Sequence, residues 1–143
     1  MQKKSFNKKE IISKIQSVDA LFKKASEKIN NEKIRLKMNE IASINQNFIN
    51  VMENEEAQSH QSNGTGNYLT SKEYSNGIDY LSQRELLRLC LQKEEELVKL
   101  YQKAISYFQL TKPEDSLYKN QLYKSLTHFN QMKMAEEALH YQN

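Results

Sequence analysis

Apolar residues in the first half of the chain recur at steps of three and four. Ile11, Ile15, Val18, Phe22, Ala25 and Ile29 form one series; Ile34, Met38, Ile41, Phe48 and Met52 form a second. That period is the mark of an amphipathic helix, and Asn30-Asn31 supplies the break between the two. The second half repeats the pattern. Leu86, Cys90, Leu97, Tyr101, Ala104 and Phe108 trace a third helix from about Ser82 to Leu110, and a fourth is expected from about Glu114 to Tyr141. Ser82 and Glu85 have the spacing of a capping box, and Pro113, Glu114 and Asp115 suit the start of a helix.

The placement of glycine and proline divides these helices into two pairs. All three glycines, Gly64, Gly66 and Gly77, fall in one polar, turn-rich stretch, and Pro113 is the only proline. The chain therefore reads as one domain over residues 1–143: a hairpin at 9–58, a crossover at 59–81 and a second hairpin at 82–141. Two segment pairs suggest duplication. LFKKA at 21–25 resembles LYQKA at 100–104, and NFINVMENEEA at 47–57 resembles HFNQMKMAEEA at 128–138. Neither hairpin can bury its apolar face alone, so the two are expected to pack as a four-helix bundle. A helix of about 27 residues is roughly 40 Å long, and a crossover of about 22 residues spans up to roughly 70 Å. Such a crossover can return along the whole bundle and start the third helix parallel to the second.

Two helical hairpins joined by a long crossover resemble the ferritin-like superfamily, which includes the rubrerythrins. Glu94 followed by Tyr101 and Ala104 looks like a rubrerythrin-type metal helix, and Glu137 with His140 in AEEALH has the Glu-x-x-His spacing of the partner helix. Over most of its length the chain is similar to a bacterial ferritin-like family of uncharacterised function. The resemblance implies an all-α fold and raises the question of a metal site.

Composition fits that fold and narrows the function. Hydrophobic residues make up 38% and charged ones 27% of 143 residues, the balance of a globular chain with a lean core. No apolar run is long enough for a membrane span, and the basic N-terminus lacks the apolar stretch of a secretory signal. Cys90 is the only cysteine, so a cytoplasmic location and no internal disulfide are expected. The net charge of +3 conceals an asymmetry: residues 1–37 carry eleven Lys/Arg against four Asp/Glu. A basic first helix could hold nucleic acid non-specifically, but no arginine or aromatic pattern accompanies the lysines, and a solvated lysine face is expected instead.

The sharpest chemical feature is the run Glu94-Glu95-Glu96 inside the third apolar stripe. Glu94 falls on the inner face, four after Cys90 and three before Leu97; Glu95 and Glu96 fall to the sides and should reach water. A ferritin-like di-iron centre needs a carboxylate from each of two helices and a Glu-x-x-His from each of the others, all at one height. Counting from the turn near residue 112 puts Thr127 to Asn130 opposite Glu94, with His128 but no glutamate, and Glu137 and His140 lie further along. In the first hairpin the repeat sets Ile15 against Glu94 and Phe22 against Tyr101, and no carboxylate is expected at that level. Glu94 is thus expected to be a core carboxylate hydrogen-bonded to His128 or Tyr101, the remnant of a metal site. No metal or other cofactor and no catalytic residue is expected; Glu94 and His128 are the residues a lone metal would use.

His60 and His140 are expected to be exposed, and Cys90 to be a small buried hydrophobe. Tyr68, Tyr74 and Tyr80, with Leu69 and Ile78, are expected to pin the crossover to the bundle. The functional expectation is a non-enzymatic bundle protein of the interaction, assembly or stress-associated kind, pairing with a second copy of itself. The alternatives are an iron- or manganese-binding bundle and a DNA-binding one.

Overall fold

The computed structural model describes residues 8–59 and 80–141, with side chains over 8–54 and 80–138. The expectations for His60, Tyr68, Leu69, Tyr74 and Ile78, and for the side chain of His140, lie outside those residues. Four helices account for most of the described chain: α1 at Lys8–Lys28, α2 at Glu32–Ser59, α3 at Gln83–Tyr107 and α4 at Lys112–Tyr141. Both α1 and α4 pack against α2 and α3, so the four surround one core.

The second, third and fourth helices each begin where a side chain satisfies their first amides. Asn31 Oδ1 accepts from the N–H of Ile34 at 3.0 Å and opens α2. The capping box expected at Ser82 and Glu85 is present in both directions. A second capping box, at Thr111 and Glu114, was not foreseen: Thr111 Oγ1 accepts from Glu114 N–H, and the Glu114 carboxylate accepts from Thr111 N–H. It moves two boundaries. The third helix stops at Tyr107 rather than Leu110, because Phe108 turns to an extended backbone (φ −97°, ψ 153°). The fourth then starts at Lys112. Burial alone would raise the Glu114 carboxyl, yet the Thr111 N–H and the Lys8 ammonium outweigh it and hold it below the usual range.

The stripes read from the sequence are the core. Ile11, Ile15, Val18, Phe22 and Ala25 of α1 are buried against Ile34, Met38, Ile41, Phe48 and Met52 of α2, and Leu86, Cys90, Leu97, Tyr101 and Ala104 of α3 are buried with them. Several positions matched by the internal repeat are alike in being buried: Phe22 and Tyr101, Ala25 and Ala104, Phe48 and Phe129. Phe48 stands edge-on between the rings of Tyr101 and Tyr118, at 5.6 Å and 5.0 Å between centroids. Phe108 still packs on this core from outside the helix, as does Leu81 ahead of α3. Tyr80 is 87% exposed, so it does not pin the crossover as expected; Leu81 makes the apolar contact there.

Two variants test these assignments. Thr111→Ala should cost about 1 kcal/mol in urea unfolding, as loss of a helix cap does. Phe22→Ala should cost about 3–5 kcal/mol through the cavity it leaves. An unchanged urea midpoint for either would show that the cap or the ring does not hold its helix.

Candidate functional site: a polar layer across the bundle

Midway along the helices the apolar stripes are interrupted on all four. α1 contributes Asp19, α2 Asn45, α3 Glu94 and Tyr101, and α4 Gln121 and Ser125. Asn45, Glu94, Tyr101, Gln121 and Ser125 are buried, and Asp19 is half-buried at the edge.

Most of these groups are joined by directed hydrogen bonds. Gln121 Nε2 donates to Asn45 Oδ1 at 2.9 Å, and Asn45 Nδ2 donates to Asp19 Oδ1 at 3.0 Å. The same Gln121 amide lies 3.3 Å from the Tyr101 hydroxyl and 3.4 Å from Ser125 Oγ. The two amides therefore act in series, with their hydrogens pointing towards Asp19. Glu94 is outside this chain. It is fully buried, and neither carboxyl oxygen has a hydrogen-bond partner among the described residues.

Electrostatics follow from that geometry. Burial first, and then the Asp19 charge, raise the Glu94 pKa to about 8. Burial also raises Asp19, to about 7, against the opposing effect of the Asn45 hydrogen bond. Asp19 thus takes the first negative charge, because the amide chain solvates it, and Glu94 keeps its proton longer. Burial, together with the Glu94 charge, pushes both the Cys90 thiol and the Tyr101 hydroxyl well up. Cys90 is an inert thiol in the closed bundle, as expected.

Several expectations change here. Asp19, not the residue matched to Glu94 by the internal repeat, puts a second acidic side chain in the layer, bonded to Asn45 and near enough for its charge to act on Glu94. The Glu94–His128 and Glu94–Tyr101 hydrogen bonds do not form: Tyr101 is engaged by Gln121. The structure does not bring His128 to Glu94 either. His128 lies on the α2–α4 seam, its Nδ1 3.2 Å from Glu40 Oε2 and 3.4 Å from Lys37 Nζ. Partial burial and the Lys37 charge both lower its pKa. Glu95 and Glu96 reach the surface as expected and pair with Lys99 and with Lys14 and Lys93. The repeat misled because it aligns backbones, whereas Asp19 lies one helical turn beyond Ile15. The available signal was the interruption itself: Asn45 fills the gap between Ile41 and Phe48 in the α2 stripe.

The residues present do not fit the di-iron centre that a ferritin-like fold implies. The layer holds the carboxyls of Asp19 and Glu94, α2 and α4 supply carboxamides, and the Asn45 amide aims its N–H at Asp19. Among the described residues no group of three or more His, Cys, Asp or Glu side chains could hold a metal ion. No family model matches the chain, and neither does any curated protein or solved structure.

A carboxyl whose pKa is raised on folding makes the folded state bind more protons than the unfolded one. Its contribution to stability therefore falls as pH rises from the unfolded value to the folded value. For Glu94 that window runs from 4.5 to about 8, with a slope of up to about 1.4 kcal/mol per pH unit. Glu94→Gln should flatten the fall of Tm with pH across this window and leave the variant at least as stable as wild type at its upper end. Parallel Tm curves for the two proteins would show that Glu94 does not titrate abnormally.

Proposed function

We propose that this chain is a ferritin-like bundle that has given up metal chemistry and works as a non-enzymatic cytoplasmic assembly protein, pairing with a second copy of itself. The helix contacts support the topology. Lys14 against Glu96 and Asn30 against Gln83 make α1 and α3 run in opposite directions. Arg88 against Glu136 and Tyr101 against Gln121 do the same for α3 and α4. With three residues between α1 and α2, these directions support a parallel α2 and α3, the order of a ferritin-like bundle.

The observation that carries the non-enzymatic reading is the make-up of the central layer. Where a ferritin-like bundle would converge acidic and histidine ligands, this one has amides that bond to one another and to Asp19. Self-association is supported by the surface. Among the described residues, five of the seven exposed large apolar side chains lie on the neighbouring helices α2 and α4: Leu36, Val51, Tyr123, Leu126 and Met134. No helix of the described residues is long and apolar enough to cross a membrane, so these side chains are read as covered by protein.

Light scattering on the purified chain at micromolar concentration should give twice the 16.9 kDa chain mass, and Tyr123→Glu with Met134→Glu should return it to monomer. A wild-type monomer would overturn the pairing. Protein made with iron and manganese in the medium should carry metal far below one ion per chain. Near-stoichiometric metal that is lost in Glu94→Ala would instead make this a metal protein.

A further inference from the structure

Away from the polar layer, one cluster on the α2–α4 seam gathers acceptor atoms from two helices around a single point. Lys37 and Glu40 are three residues apart on α2, and His128 and Gln131 are three apart on α4, a spacing that puts each pair on one helix face. The Lys37 ammonium lies 2.9 Å from Glu40 Oε2 and 3.4 Å from His128 Nδ1, and it donates to Gln131 Oε1 as well. A carboxylate oxygen, an imidazole nitrogen and an amide oxygen therefore converge on one positive charge. Lys99 with Glu95 and Lys119 with Asp115 show the plainer alternative, a lysine paired with one acid along its own helix.

These acceptors have the chemistry and the spacing of metal ligands. Glu40 Oε2 and His128 Nδ1 are 3.2 Å apart. Two ligand atoms bound to one tetrahedral zinc at about 2.0–2.1 Å stand about 3.3–3.4 Å from each other. The two can therefore share an ion with little movement, and Gln131 Oε1 reaches the same point as a third ligand. Imidazole with carboxylate suits zinc, whereas magnesium and calcium take oxygen ligands. The Glu40 side chain is 51% exposed, which gives an ion a way in and leaves room for water in the coordination shell. An ion pair to a carboxylate that exposed holds little, so the Lys37 ammonium can be displaced.

We propose that Glu40, His128 and Gln131 form a zinc site that clips α2 to α4, with Lys37 as a built-in competitor whose ammonium holds the position until the metal displaces it. The exchange is one cation for another. Lys37 swings to solvent with its protons, and zinc takes a lone pair from His128 Nδ1, whose ring proton sits on Nε2, and one from each oxygen. Water completes the coordination. The site uses no residue of the polar layer and none of the exposed apolar side chains read as a pairing surface. It therefore stands whether or not the core binds metal and whether or not the chain pairs. A zinc ion held here ties the outer edge of the seam that Asn45 and Gln121 tie from within.

Zinc chloride titrated into the full chain at neutral pH, followed by isothermal calorimetry, tests the clip. The expected result is one zinc per chain with micromolar affinity. His128→Ala and Glu40→Gln should each weaken binding by about tenfold or more, since even losing a group behind a ligand costs about 10–100-fold. Lys37→Met should tighten it by about fivefold, the effect of removing a competing surface ion pair. Glu94→Gln should leave the affinity unchanged, which separates this site from a metal in the core. Saturating zinc should also raise the Tm of wild type and leave that of His128→Ala where it was; magnesium should do neither. No zinc binding in wild type, one zinc per two chains, undiminished affinity in His128→Ala, or weaker binding in Lys37→Met would each overturn the clip.

Discussion

Asn45 gives an amide hydrogen to Asp19 while accepting one from Gln121, and that short chain ties α1, α2 and α4 together at the bundle's middle. Through Tyr101 the same Gln121 reaches α3. Each buried polar group in this layer needs a partner on another helix, because the apolar stripes above and below supply none. The layer therefore fixes the helices' relative heights more sharply than interchangeable aliphatic contacts could. A slip of one turn would leave two amides and a hydroxyl buried without partners, each costing about 1–3 kcal/mol.

Glu94 is the exception that the rest of the layer permits. The network satisfies its neighbours and leaves it without a hydrogen-bond partner among the described residues, a position that favours the neutral carboxyl. That converts a structural defect into a dependence on pH. It also separates the three adjacent glutamates. Glu95 and Glu96 differ from Glu94 only in direction around the helix, yet they meet lysines and water while Glu94 is sealed in the core. The same chemical group thus has two opposite roles within one turn.

The layer also bears on ancestry and function together. On the proposed reading, an acid on α1 linked to amides on α2 and α4, beside a buried acid on α3, is the pattern expected if half of a carboxylate-rich site were replaced by neutral isosteres. Asparagine and glutamine keep the shape and hydrogen-bonding reach of aspartate and glutamate while removing charge. On the proposed reading, the bundle kept the geometry of such a site and turned it to holding helices, with the outer faces of α2 and α4 left to make contacts.

The helices and their inner faces were legible in the sequence because a 3.6-residue period and local caps are properties of adjacent residues. The apolar stripes, the Ser82–Glu85 box and the Asn30-Asn31 break needed nothing beyond that. The all-α fold followed, and so did the inward direction of Glu94. The pairing of Glu94 did not. Asp19 and Glu94 belong to different helices, and their meeting depends on how far each helix slides and rotates against its neighbours, which side-chain volumes throughout the core decide together. Counting from a turn placed His128 near Glu94 in height, but a modest rotation of α4 sends its ring to Lys37 and Glu40 instead. Periodicity determines which face a residue occupies; only the packed structure decides what stands opposite it.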